Sequence, residues 1–157
     1  MDKNKPVFVI GAGSWGTALA LVLAKNERTV FLWDNDTQHI NSLIQDCCNQ
    51  KHLPGVKFPE NLKPVIEFPA DNNVIEFVIV VPCEYLEDVL HKLENKKSGN
   101  ISLCLASKGL APDSLKLNHE IVSDIMGDIH VGILSGPSFA KEVATGLPTA
   151  VTIASSN

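Results

Sequence analysis

The sequence predicts an α/β fold, a doubly wound and mostly parallel sheet with helices on both faces, and three observations carry that expectation. Short apolar runs of strand length recur at Val7 to Ile10, Phe77 to Val81 and Ile101 to Ala106. Such runs suit strands covered on both faces. Amphipathic stretches separate them at a spacing that makes right-handed βαβ crossovers. Finally, Gly11, Gly13 and Gly16 follow the first run with GxGxxG spacing.

Each of those glycines has a physical task. The first permits a tight turn, the second lets the backbone approach a pyrophosphate, and the third lets the helix pack closely on the sheet. The helix that follows is expected to bury Ala18, Leu19, Val22 and Leu23, leaving the N–H groups of its first turn aimed at an anion. A second strand, Thr29 to Trp33, ends at Asp34, about 20 residues on, where a ribose-binding acid belongs in a Rossmann-type sheet. A glycine turn with no ligand is the competing reading, and the strand, helix and acid around it argue against that.

Farther along, Asp36 caps a helix whose Ile40, Leu43, Ile44 and Cys47 fall at i, i+3, i+4 and i+7, one buried face. From Asn49 to Pro69, prolines and isolated apolar residues read as a surface loop leading to a short strand around Pro64 to Phe68. Asp71-Asn72-Asn73 is expected to cap a brief helical turn. Phe77 to Val81 is then a strand stopped by Pro82, crossing to the other side of the first strand. Leu86, Val89, Leu90 and Leu93 make a helical stripe before a turn at Asn95 to Asn100 and the strand Ile101 to Ala106. A helix over Ser114 to Met126 turns Leu117, Ile121, Val122 and Ile125 inward, and Gly127 ends it. Val131 to Leu134 is the next strand, Pro137 opens a short helix through Val143 that Gly146 ends, and Thr149 to Ala154 is the last strand. The turns at Gly11, Asp34, Pro82, Lys108 and Gly136 all follow strands, so they gather at one edge, where such sheets bind ligands.

Composition narrows the function classes. The chain of 157 residues is 45% apolar and 20% charged, enough for one domain with a full core and unlike a disordered segment. A net charge of −5 with no block of like charges (Lys96-Lys97 is too short) argues against a nucleic-acid surface. No apolar run approaches a membrane span, and Lys3 and Lys5 lead directly into a strand without a signal-peptide core, so a cytoplasmic protein is expected. Cys47, Cys48, Cys83 and Cys104 lack metal-ligand spacing and read as buried free thiols, with a redox role for the adjacent pair as the lesser alternative. The five histidines show no ligand spacing either, and no metal is expected.

Lys108, in Ala106-Ser107-Lys108-Gly109, follows a buried strand near where the reacting end of a dinucleotide would lie. It is a candidate anion or hydroxyl ligand, and equally a solvated loop lysine. Gly136-Pro137-Ser138 offers a polar cradle or an ordinary helix cap. Trp15 either lies over the pyrophosphate or packs on the sheet.

Three blocks in this order, Ile10-Gly-Ala-Gly-Ser-Trp-Gly-Thr-Ala-Leu-Ala20, Ala106-Ser-Lys-Gly-Leu110 and Leu134-Ser-Gly-Pro-Ser-Phe-Ala-Lys-Glu142, resemble the bacterial NAD(P)-dependent sn-glycerol-3-phosphate dehydrogenases. Leu32-Trp33, Phe58-Pro59 and Gly146-Leu-Pro-Thr149 fit the same pattern, so the resemblance covers essentially the whole chain. It implies that Ser14 and Trp15 contact the cofactor beside Gly11, Gly13 and Gly16, that Asn35 meets the adenosine end, and that Ala140 also touches cofactor. Lys108 would touch cofactor and substrate, and Gly136 and Ser138 substrate. The implied reaction is reversible hydride transfer between NAD(P)H and dihydroxyacetone phosphate, giving sn-glycerol 3-phosphate for glycerophospholipid synthesis.

The resemblance also implies what is not here. The family continues into a helical domain of similar size that carries the catalytic lysine and most of the substrate-phosphate site, and by this resemblance that lysine is expected beyond Asn157. Residues 1–157 are therefore expected to be an isolated dinucleotide-binding domain, with no catalytic residue of its own and the missing C-terminal domain as partner. A homodimer of the full-length protein stays open. Members often carry histidine or arginine where this chain has Asn35, whereas Asp34-Asn35-Asp36 is acidic. A carboxylate near the ribose accepts a bond from the 2′-hydroxyl and repels a 2′-phosphate, so of NAD and NADP the sequence favours NAD. The alternatives are a dehydrogenase for another small hydroxy acid or a sugar nucleotide, and a non-enzymatic NAD(H)-sensing module.

Overall fold

A computed structural model describes residues 5–68, 76–95, 101–112 and 114–155. The expected cap at Asp71-Asn72-Asn73, the pair Lys96-Lys97 and most of the turn at Asn95 to Asn100 lie outside them. So does Asn157, and with it the expectation of a catalytic lysine farther on, which no described residue bears upon. The chain runs β1 (Val7–Ile10), α1 (Ser14–Lys25), β2 (Val30–Trp33), α2 (Thr37–Asp46), β3 (Cys48–Asn49), β4 (Leu53–Lys57) and β5 (Leu62–Pro64). It continues through β6 (Glu76–Ile79), a 3-10 turn (Cys83–Tyr85), α3 (Leu86–Glu94), β7 (Ser102–Leu105), α4 (Asn118–Met126), β8 (His130–Ser135), α5 (Ala140–Thr145) and β9 (Thr152–Ser155).

Seven strands form one sheet in the order β5-β2-β1-β6-β7-β8-β9, parallel throughout except for the antiparallel pairing of β8 with β9. The doubly wound, mostly parallel sheet expected from the sequence is borne out. The strand order reverses between β1 and β6, paired from Val7↔Glu76 to Ile10↔Ile79. A crevice therefore opens beyond the carboxyl ends of those two strands.

Strand β1 is buried along its whole length and splits its side chains between two cores. Val7 and Val9 join Ala18, Leu21, Ile40 and Leu43 on one face, while Phe8 and Ile10 join Phe77, Leu90, Leu103 and Val122 on the other. The two layers follow from the two-residue period of the strand, which sends neighbours to opposite faces.

Several local expectations are corrected. In α1 the buried residues are Gly16, Thr17, Ala18, Ala20, Leu21 and Ala24, while Leu19, Val22 and Leu23 are half-buried along an apolar groove they share with Val143, Leu147 and Ile153. In α2 the buried side chains are His39, Ile40 and Leu43. Ile44 is 45% exposed, and Cys47 adopts a left-handed conformation (φ 51°) that ends the helix and turns the chain back into β3. Cys47 is thus exposed, Cys104 is half-buried, and only Cys48 and Cys83 are buried, all as free thiols. The stretch read as loop contains the antiparallel pair of β3 with β4. The edge strand lies at Leu62–Pro64 because Asn61 pins its start, donating through Nδ2 to the carbonyls of Ala24 (2.7 Å) and Arg28 (2.8 Å).

Helix α4 begins at Asn118, and Leu117 is its exposed N-terminal cap residue. Leu115 is left-handed (φ 55°) and cannot continue a helix, and the Glu120 carboxylate accepts the Leu117 N–H at 2.8 Å. Pro137 likewise stands before α5, whose first residue is Ala140, because Phe139 is extended (φ −98°, ψ 131°). Strands β2, β6, β7, β8 and β9 sit within a few residues of their expected bounds.

One buried ion pair ties the bottoms of the strands. Arg28, with 7% of its side chain exposed, donates to Glu76 Oε2 at 2.7 Å and to the Lys5 carbonyl at 2.6 Å. Removing the acid leaves a desolvated guanidinium without its counter-charge. Glu76→Ala is expected to lower the unfolding free energy by about 3–5 kcal/mol in urea melts, and Arg28→Ala should cost less than Glu76→Ala does.

Candidate functional site

The glycine turn is shaped by close approach. Gly11 has φ 109°, and a Cβ there would lie 3.0 Å from the Val80 carbonyl carbon at the end of β6. At Gly16 a Cβ would collide with the Gly11 carbonyl oxygen, so the third glycine makes room for the turn itself as well as for the sheet. Gly13 is different: a Cβ there would meet nothing within 4 Å. It is exposed at the start of α1, where the first N–H groups have no intrahelical acceptor.

A cleft of about 700 Å³ opens over this turn. Gly11, Gly13, Ser14, Trp15 and Gly16 form its floor, with Asp34 and Asn35 at one end and Lys108, Ser138 and Ala140 at the other. The size is in the usual range for cofactor sites, roughly 300–1,000 Å³. Of the residues singled out in the sequence, all but Gly136 line it. Gly136 is not among the lining residues and is packed against the chain ahead of the last strand, where a Cβ would come within 2.9 Å of the Ala150 carbonyl oxygen. Trp15 serves both surfaces, lining the cleft and packing against the core on the α1 face.

Asp34 does more than face the cleft. Its Oδ2 accepts the Ala12 N–H at 2.8 Å, and its Oδ1 accepts the Asp36 N–H at 3.1 Å. The carboxylate therefore fastens the end of β2 to the middle of the glycine turn and still has lone pairs for a hydroxyl. Asp36 caps α2 by accepting the His39 N–H at 3.0 Å, a bond that holds its carboxyl below the usual carboxylate range.

At the other end, the loop carrying Lys108 is tied to the loop after β6. Ser107 Oγ donates to the Val81 carbonyl at 2.5 Å, Cys83 Sγ donates to the Lys108 carbonyl at 2.9 Å, and Asn118 Nδ2 donates to the Ser107 carbonyl at 3.1 Å. The Lys108 side chain is left exposed toward the cleft. Ser138 Oγ is buried with no hydrogen-bond partner. A buried hydroxyl without a partner is costly, and this one belongs to a residue of the cleft wall.

His39, Lys51 and His52 also line the cleft, and sequence reading assigned none of them a role. His39 is buried in α2, and the turn between β3 and β4 brings Lys51 within 3.9 Å of Asp36 and His52 against the His39 ring at 4.9 Å between centroids. The only sequence signal was the position of His39 three residues after the cap Asp36. Among the described residues no cluster of three or more His, Cys, Asp or Glu is placed to hold a metal. No described helix is long and apolar enough to cross a membrane.

A glycine turn at the switch point of a doubly wound sheet defines the class, a Rossmann-type domain of the dehydrogenase kind. Residues 6–157 match the family model described as NAD-dependent glycerol-3-phosphate dehydrogenase N-terminus, and the chain belongs to that family. It is 39% identical to the glycerol-3-phosphate dehydrogenase (NAD(P)+) of Shewanella baltica over 159 residues, covering 98% of this chain and 46% of that protein. For the enzyme of the same name from Coxiella burnetii the identity is 39% over 153 residues, covering 97% and 46%. The crystal structure of a Coxiella burnetii glycerol-3-phosphate dehydrogenase superposes with a TM-score of 0.94, at 39% identity and over 98% of this chain and 47% of that one. The Saccharomyces cerevisiae enzyme gives 0.81 at 26% identity, over 98% and 48%. The chain thus spans about half the length of the curated relatives it matches.

Burial, then the positive charges of His39 and Lys51, hold the His52 imidazole below its ordinary value of 6.5. The unfolded chain binds that proton more readily, so stability is present above this value and falls as the pH drops through it. Urea midpoints measured from neutral pH down to mildly acidic pH should decline less steeply in His52→Gln than in wild type.

Proposed function

We propose that residues 1–157 are the cofactor-binding domain of an NAD(P)-dependent glycerol-3-phosphate dehydrogenase, which moves a hydride between NAD(P)H and dihydroxyacetone phosphate to give sn-glycerol 3-phosphate for glycerophospholipid synthesis in the cytoplasm. One observation carries this reading: the glycine turn, Lys108 and Ser138, whose buried hydroxyl has no partner, line a single cleft at the strand-order reversal. The open space over Gly13 fits a pyrophosphate, and family membership supports the choice of substrate.

When bound, the nicotinamide supplies the hydride. The residues of this chain bind and orient. The first-turn N–H groups of α1 and the turn at Gly13 hold the pyrophosphate, with Ser14 and Trp15 beside it. Asp34 and Asn35 hold the adenosine ribose, and Ala140 borders the cofactor. Lys108 places positive charge beside the phosphorylated ketone, where charge develops as the alkoxide forms, and Ser138 donates to the substrate, with Gly136 shaping the loop. The proton donor is a lysine beyond Asn157, in a C-terminal helical domain that is the partner of this one.

The test is nucleotide titration of this chain, with dihydroxyacetone phosphate reduction measured on it and on a protein extended through the second half of the relatives. Binding without turnover here, and turnover in the longer protein, is expected. Nucleotide binding with no reduction by the longer protein would sink the substrate assignment and favour another hydroxy acid or a sensing role.

The paired carboxylates Asp34 and Asp36 favour NADH over NADPH, because a 2′-phosphate would sit against negative charge. Asp34→Asn keeps an acceptor for the Ala12 N–H and removes that charge. It should improve NADPH binding relative to NADH about tenfold, a gain that shrinks as salt rises. Equal affinities in wild type would refute the preference.

A further inference from the structure

The Ala12 peptide unit, at the centre of the glycine turn, is gripped at both ends by side chains that come from elsewhere in the fold. Its N–H goes to Asp34. Its carbonyl accepts from Asn49 Nδ2 at 2.9 Å, from Thr17 Oγ1 at 3.4 Å, and lies 3.1 Å from His39 Nε2. A carbonyl only accepts, so that histidine nitrogen must carry a proton, while Nδ1 is buried with no partner. Asn49 is wholly buried and spends every group it has: Nδ2 also donates to Thr17 Oγ1 at 2.8 Å, and Oδ1 accepts the His52 N–H at 3.0 Å.

A buried asparagine is tolerated only when its polar groups are paired, and here one donor goes to the Ala12 carbonyl and the other to the Thr17 hydroxyl that also bonds that carbonyl. What it fixes here is the direction of the turn. With the Ala12 carbonyl drawn into the protein, the chain enters Gly13 extended (φ −69°, ψ −174°) and α1 begins with its free N–H groups on the cleft side. If the Ala12 peptide were to rotate, its carbonyl would present partial negative charge toward the pyrophosphate.

We propose that Asn49 is a positioning residue for pyrophosphate recognition, acting through the Ala12 carbonyl with Thr17 and His39 beside it. It touches no ligand, since it is not among the residues lining the cleft. Its effect is on the part of the cofactor the glycine turn holds, and the proposal rests on reading the cleft as a dinucleotide site. Sequence periodicity gives no sign of it, because Asn49 follows the end of α2 in a strand of two residues.

The experiment compares two probes, ADP-ribose, which carries the pyrophosphate, and adenosine, which lacks it, by calorimetry or ligand-observed NMR on wild type and Asn49→Ala. ADP-ribose affinity should fall about tenfold or more in the variant, with adenosine affinity held within about twofold of wild type. Thr17→Val, which keeps the shape and removes the hydroxyl that Asn49 grips, should shift ADP-ribose in the same direction by a smaller factor, and it decides the matter if Asn49→Ala does not fold. Equal losses for both probes would make Asn49 a mere support of the cleft and overturn the proposal, as would no change for either. A wild-type protein that binds neither probe fails the reading of the cleft itself, and the positioning role falls with it.

Discussion

The constraint on which the structure depends is the contact between the start of α1 and the end of β1. The helix lies so close to the strand that residue 16 has no room for a side chain, because the Gly11 carbonyl fills it, and residue 11 is held against the backbone of Val80. Two backbones in contact leave no slack: the helix axis, the strand end and the turn between them move as one piece. Because β1 is paired on both sides, to β2 and to β6, that piece is anchored in the middle of the sheet. The N–H groups at the head of α1 are thus presented from the doubly paired centre of the sheet, where a binding site gains from preorganisation.

The remaining walls of the cleft are fastened to this centre by hydrogen bonds. Asp34 joins the β2 end to the turn, and the bonds from Ser107, Cys83 and Asn118 join the loops after β6 and β7. Loops that carry functional side chains are ordinarily the mobile part of an α/β domain. Here side chains of one loop donate to backbone carbonyls of the other, and the conformational freedom is left to side-chain tips such as that of Lys108.

Much of the fold is legible in the sequence because its strands are buried on both faces, and a run such as Val7 to Ile10 has few alternatives. The glycine turn and Asp34 are legible for a related reason: spacing there reflects covalent geometry. Helix boundaries are less so. Leu117 fits an apolar stripe by periodicity, yet the left-handed Leu115 and the Glu120 bond start the helix after it, and Ile44 fits a stripe on a helix that buries His39 instead. The polar residues beneath the turn are the least legible of all. Asn49 and His39 meet Ala12 only after α2 and the turn between β3 and β4 have folded back over it, an arrangement with no local period.

The two faces of β1 also differ in thickness. On the α1 side the core around Val7 and Val9 mixes alanines (Ala12, Ala18, Ala20, Ala24) with aliphatic side chains such as Leu21, Ile40 and Leu43 and holds no buried aromatic ring among the described residues, while on the other side Phe8 meets Phe31, Phe68 and Phe77 and Trp33 stands edge-on to Phe68. A slip of β1 by one residue would drive Phe8 into that aliphatic face and leave valine facing a gap the size of a ring. Side-chain volume therefore polices the register of the central strand, and since the glycine turn begins at the residue after Ile10, it also fixes the height at which that turn emerges from the sheet.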